Sequence, residues 1–132
     1  MNQKGFSLAE SLLVVVVIGS IVFLLANVPN AMMLYTKAKH MSLAREIAIR
    51  QIEDKRTISY ANLVNDNIPI ADSRLSLLSG GSGYVLVEDC DLSVCQNGEA
   101  LKQVTAVVSW NELNKPQAVT IKTMIGEGGI NQ

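Results

Sequence analysis

Two hydrophobic patterns divide this chain. From Ser11 to Ala26 the side chains are apolar on every helical face, interrupted only by Ser11, Gly19 and Ser20, and no charge follows Glu10 until Lys37. A run of about 20 mostly apolar residues is long enough to cross a bilayer core of about 30 Å, so the stretch is read as a transmembrane helix. Beyond Pro29 the all-round apolar character gives way to a stripe. Leu34, Ala38, Met41, Ala44, Ala48 and Ile52 recur at spacings of three and four, the mark of one helical face turned to a core. Glu46 with Arg50 and Glu53 with Arg56 are spaced for i,i+4 and i,i+3 ion pairs along that helix. A single helix is therefore predicted from Phe6 to about Arg56, about 75 Å long at 1.5 Å per residue. Its weak point is Pro29, which removes one backbone donor and marks a helix break. That break is a kink, a segment that unwinds on packing, or a simple bend at the membrane exit.

The remainder alternates instead of repeating at 3.6. Residues 65–83, NDNIPIADSRLSLLSGGSG, read as a crossing loop with a short ordered turn near Leu75–Leu78. Its glycines lack the lysine and following helix of a phosphate-binding loop, so they read as turn residues. Three strands are predicted at Tyr84–Asp89, Gln103–Trp110 and Ala118–Ile125. The period of two is clearest in Val104, Ala106, Val108, Trp110 and in Val119, Ile121, Thr123, Ile125. Asn111–Pro116 supplies one hairpin connection and the CDLSVCQNGEA segment the other. An antiparallel meander with one face over the helix stripe gives an α+β fold, the simplest burial for both apolar faces.

Composition changes this picture little. The chain has 132 residues and a formal net charge of -1, enough for one modest domain after the apolar segment. Hydrophobic residues make up 48% of the whole, an average over two unlike parts. No basic face or stripe is present, so no direct nucleic-acid contact is expected. Lys37, Lys39 and His40 form a basic cluster after the span, read as a solvated helix face. With one histidine, no G-x-S-x-G and no metal-ligand spacing, the chain is not expected to be an enzyme and no cofactor is expected.

The apolar segment has three readings. A cleaved secretory signal needs a small-residue site after the run, and LLANVPNAMM offers none. A plain anchor has no use for Glu10, since a carboxylate in a span costs roughly 2.5 to 3.5 kcal/mol at the centre and less near the end. The third reading accounts for both Glu10 and the glycine before Phe6. Lys4-Gly5-Phe6-Ser7-Leu8-Ala9-Glu10 followed by an uncharged helix resembles the amino-terminal signature of type IV prepilins and type II secretion pseudopilins. The resemblance covers Lys4 to about Leu25. AREIAIRQIEDKR, SYANL, VTAVVSWNE and KPQAVTIKTMI extend it more loosely, and are most like minor subunits of the PilV or GspI type.

That resemblance implies a pilin-like fold with residues 1–5 as leader, 6–56 as the long helix and 57–132 as a globular β domain. Residues 6–28 are the transmembrane and assembly part of the helix. It implies cleavage between Gly5 and Phe6 by a prepilin peptidase and N-methylation of Phe6. The new ammonium of Phe6 then meets the Glu10 carboxylate of a neighbouring subunit, so two costly lone charges are removed together. The implied partners are the prepilin peptidase, other pilin or pseudopilin subunits, an inner-membrane assembly platform and, before assembly, membrane lipid. The implied location is a single pass through a bacterial inner membrane with a cytoplasmic amino terminus, then an extracytoplasmic pilus or pseudopilus. Lys4 on the short side agrees with that orientation, while Lys37 and Lys39 oppose it. The alternatives are a bitopic membrane protein with an extracytoplasmic binding domain and a competence pseudopilin in DNA uptake.

Cys90 and Cys95 are the only cysteines and follow the span, so an oxidising compartment and a disulfide are expected. Closing so short a loop stabilises by about 2 kcal/mol in the chain-entropy model, so the bond is expected to shape a hairpin tip. Zinc would need further Cys or His ligands, which the chain does not place nearby. Glu88, Asp89 and Asp91 beside the cysteines read as a solvated acidic tip, with calcium through their oxygens as the other reading.

Overall fold

The computed structural model describes residues 7–91, 93–95 and 100–127. The chain forms two compact units, Met1–Lys37 and Ala38–Gln132. A single long helix, α1 (Leu8–Arg56), contributes to both. It is continuous across Pro29, so no break of the helix is present there. One missing N–H and one crowded carbonyl are a local cost that the hydrogen-bonded turns on either side outweigh.

The second unit is an α+β layer in which the end of α1 packs on a four-stranded antiparallel sheet of order β1-β2-β3-β4. The strands are β1 (Asp66–Pro69), β2 (Ser82–Asp89), β3 (Leu101–Glu112) and β4 (Lys115–Gly126). Ala44, Ile47, Ala48 and Ile52 of α1 are buried against Val85 and Val87 of β2, Val104, Ala106, Val108 and Trp110 of β3, and Ile125 of β4. The period of two in β3 thus puts its apolar set on the helix face. Ile70, Leu75 and Leu78 from the loop before β2 close the rest of this core.

Two expectations about the connections need correction. The crossing loop contains a fourth strand, β1, whose Asp66, Asn67, Ile68 and Pro69 pair with Val87, Leu86, Val85 and Tyr84. Its residues are poor strand formers that an edge position tolerates, Pro69 included. The rest of the loop carries a 3₁₀ helix at Ser73–Leu77, then a turn in which Gly80 takes φ +62°. At neighbouring Gly81 a side chain would collide with the Leu75 carbonyl. The β3–β4 connection is also shorter than Asn111–Pro116. The strands pair out to Glu112 and Lys115, leaving Leu113 (φ 50°) and Asn114 (φ 62°) as a two-residue turn. Positive φ at both central residues is the hairpin geometry that matches strand twist. Asn suits that region; leucine does so only at a cost of roughly 1 to 2 kcal/mol.

The predicted helix stripe is shorter than its spacing suggests. Ala44, Ala48 and Ile52 are buried, but Leu34, Ala38 and Met41 are exposed and Ile47 takes the central place. Glu53 and Arg56 pair at 2.7 Å as spaced, and the Arg56 guanidinium also donates to Thr123 on β4 at 3.0 Å. Glu46 pairs with Arg74 and not with Arg50.

Candidate functional site

The first unit presents its apolar side chains outward. Leu12, Leu13, Val15, Val16, Ile18, Ile21, Val22, Phe23, Leu24 and Leu25 are each more than half exposed, and an 18-residue window of α1 has mean hydropathy 2.7 with nothing buried. By length and composition α1 is a candidate membrane span, the single such helix among the described residues. Three of its polar side chains are matched to an apolar solvent. The Ser20 hydroxyl donates to the Val16 carbonyl at 2.8 Å, the Asn27 amide to that of Phe23 at 2.7 Å, and the Thr36 hydroxyl to that of Met32 at 3.0 Å. Each satisfies a donor within the helix, as a lipid environment requires.

Glu10 stands apart from these groups. It lies in the first turn of α1, where its amide donates to the Ser7 carbonyl at 2.9 Å. A carboxylate in a first turn faces the partial positive charge of the helix end, which favours it there. Its side chain is exposed and has no ion pair or hydrogen bond among the described residues. Gly5 and Phe6, the expected cleavage and methylation positions, lie outside the described residues.

At the other end of the second unit, Cys90 and Cys95 form a disulfide with Cα atoms 6.0 Å apart. Cys95 is buried and Cys90 half-buried. The loop they close is also held by its own hydrogen bonds: the amides of Val94 and Cys95 donate to the Asp91 carbonyl, and the Ser93 amide donates to the Asp91 carboxylate at 2.8 Å. The Ser93 amide, and after it the Ser93 side chain, hold the Asp91 carboxyl below its ordinary pKa. Asp89 accepts from Asn65 at 2.7 Å and from Lys102 at 3.2 Å, and its pKa is lowered first by Asn65 and then by Lys102. The carboxylates of the tip therefore point at separate partners. No group of three His, Cys, Asp or Glu among the described residues is placed to hold a metal ion.

Two features were not foreseen from sequence. His40 is not on a solvated face: its Nδ1 lies 2.7 Å from Glu112 Oε2, and Glu112 also accepts from the Trp110 indole N–H at 3.2 Å. Nothing local marks the pair, because its members are 72 positions apart. The second is a polar cleft of about 320 Å³ lined by Arg50, Gln51, Asp54, Ala71, Asp72 and Ser73. Asp72 caps the 3₁₀ helix by accepting from the Arg74 amide at 2.9 Å and binds the Arg74 guanidinium at 2.8 Å. The side-chain bonds to Arg74 come first among the causes that hold its pKa down at about 2. With both oxygens committed to Arg74, Asp72 is not available as a base; it holds the guanidinium that also pairs with Glu46 of α1.

No family model, curated protein or solved structure matches this chain.

Proposed function

We propose that this chain is a minor pilin or pseudopilin: a structural subunit cleaved and N-methylated by a prepilin peptidase and assembled into a type IV pilus or type II secretion pseudopilus. The observation that carries this reading is one carboxylate, Glu10, five residues after Gly5 in the first turn of α1, at the head of an exposed apolar stretch with no further charge before Lys37. An apolar helix with no covering in its own chain needs another solvent, which is lipid before assembly and neighbouring helices after it. A carboxylate in such a setting needs a partner charge, and cleavage before Phe6 creates one. The second unit supports a subunit whose role is structural. Its core is filled by side chains, and its one disulfide bounds a short loop of sequence separation 5, unlike the long bounded loop of main fibre subunits.

In this reading the subunit waits in the inner membrane with a cytoplasmic amino terminus and is then drawn into the filament by an assembly platform. Intact mass measurement of the membrane-bound chain, in cells with and without an active prepilin peptidase, tests it. The expected product begins at Phe6 and carries one added methyl group. A chain still bearing Met1–Gly5 beside an active peptidase would overturn the proposal, leaving a bitopic membrane protein with an extracytoplasmic binding domain.

A further inference from the structure

The end of the second unit that carries His40 differs chemically from the end that carries the disulfide. The His40–Glu112 contact pins the end of β3, and with it the Leu113–Asn114 turn, beside the start of this unit's helix. The Asn111 amide donates to the Ser79 carbonyl at 2.8 Å, so the turn is braced from the β2 side as well. On this held turn Leu113 is 67% exposed, in a left-handed backbone conformation that leucine adopts at a cost. An apolar side chain kept exposed at a strained position, where asparagine or glycine would fold more easily, points to a function outside the fold.

The charges around it share one sign. Lys115, the cross-strand partner of Glu112, is exposed, as is Lys39 on the helix next to His40. Glu112, the acid among them, is engaged by His40 and Trp110. At the opposite end Asp66, Glu88, Asp89 and Asp91 collect, with the carboxyls of Asp89 and Asp91 held below their ordinary range and so ionised at neutral pH. Lys102, bonded to Asp89, and Arg56, bonded to Thr123, lie toward that end too, but its carboxylates outnumber them, whereas the exposed charges beside Leu113 are basic. An anionic surface attracts the Leu113 end and repels the other. Chain connectivity bounds the distance to such a surface: His40 lies 12 residues beyond residue 28, the end of the expected transmembrane part, at most about 43 Å of chain.

We propose that the β3–β4 turn is a second membrane contact, in which Leu113 seats in the boundary between headgroups and acyl chains while Lys39 and Lys115 take anionic phospholipid headgroups. The contact moors the second unit on the bilayer before assembly and must be released when the subunit is extracted. Shallow burial of apolar side chains combined with headgroup attraction is the general mode of interfacial anchoring. This inference rests on the reading of α1 as a membrane span.

The test uses the full chain in vesicles of mixed phosphatidylcholine and phosphatidylglycerol. A spin label is placed at Leu113→Cys, at Val64→Cys, an equally exposed apolar position at the acidic end, and at Val16→Cys within the span. The native cysteines are bonded and do not react. Collision with oxygen and with a water-soluble nickel chelate is measured. Position 113 is expected to show an oxygen-to-nickel ratio several-fold above position 64, falling when phosphatidylglycerol is omitted. Lipid exposure at 16 with a ratio at 113 equal to that at 64 would overturn the proposal and leave the span reading intact. Water exposure at 16 would overturn the span reading itself. A high ratio at 113 that ignores phosphatidylglycerol would overturn the headgroup role of the lysines. As a second variant, Leu113→Asn relieves the strained turn and removes the apolar group. A label at Asn114→Cys in that background should lose its lipid signal, and retention of that signal would show that Leu113 is not the seat.

Discussion

Two stretches of the same helix obey opposite rules. In the first unit α1 turns apolar side chains outward on every face, whereas in the second it hides Ala44, Ile47, Ala48 and Ile52 and leaves Arg45, Glu46, Ile49 and Arg50 outside. Helix geometry is the same in both, so the difference lies in what each stretch is dissolved in. One is matched to a solvent the chain does not supply, the other to a sheet that the same chain folds against it. The stability of the domain should therefore be insensitive to the first stretch, and assembly should depend on it.

The largest effect should come from Glu10. Glu10→Ala removes a costly charge from the apolar segment, so membrane insertion should be undiminished. Incorporation into filaments should fall at least about a hundredfold, as expected for losing one partner of a buried charge pair. Sheared-fibre recovery compared with membrane level measures both, and Glu10→Gln should fail in the same way. A subunit seated first at the filament tip has no neighbour ahead of it, and only there would both variants assemble normally.

Next in size is the core. Ile47 has no exposed surface, and Ile47→Ala should destabilise the second unit by about 2 to 5 kcal/mol in denaturant unfolding. Leu24→Ala, at a position 67% exposed, should leave that transition unmoved. If both shifted it alike, the division of the helix into two solvents would be wrong. A smaller loss, about 2 kcal/mol, is expected for Cys90→Ser with Cys95→Ser, with the fold retained because turn hydrogen bonds also hold that loop. A thiol count on unfolded, unreduced protein should find no free thiol before the substitutions.

The smallest effect concerns acid. Asp72 titrates at about 2 in the folded unit against an ordinary 3.8, so its bond to Arg74 stabilises fully above the ordinary value. That contribution is lost as pH falls through about 2. Asp72→Asn should lower stability at neutral pH and flatten this part of the acid profile, leaving the profile of the apolar stretch untouched.

What could be read from the sequence follows the same division. The span, Glu10, the β3 alternation and the α+β layering are local patterns whose period or charge shows in a short window. The stripe on α1 is in phase at Ala44, Ala48 and Ile52 but extends too far toward the amino terminus and omits Ile47. Leu34, Ala38 and Met41 continue the pattern by spacing, and only the sheet decides that Ile47 is covered and they are not. Strand β1 was hidden because Asp-Asn-Ile-Pro is turn chemistry that an edge strand accepts. The His40–Glu112 and Arg74–Glu46 pairs join residues 72 and 28 positions apart, which no local window contains.

The order β1-β2-β3-β4 has a kinetic consequence. Every strand pairs with its neighbour in sequence, so no strand waits for a distant partner and loop-closure entropy stays small. A chain delivered amino terminus first can therefore fold progressively as it emerges, adding one hairpin at a time onto a helix that is already in place. The apolar stripe of α1 is uncovered only until β3 arrives with Val104, Ala106 and Val108. That interval, set by fewer than a hundred residues of synthesis, is when the nascent subunit is most open to misassociation.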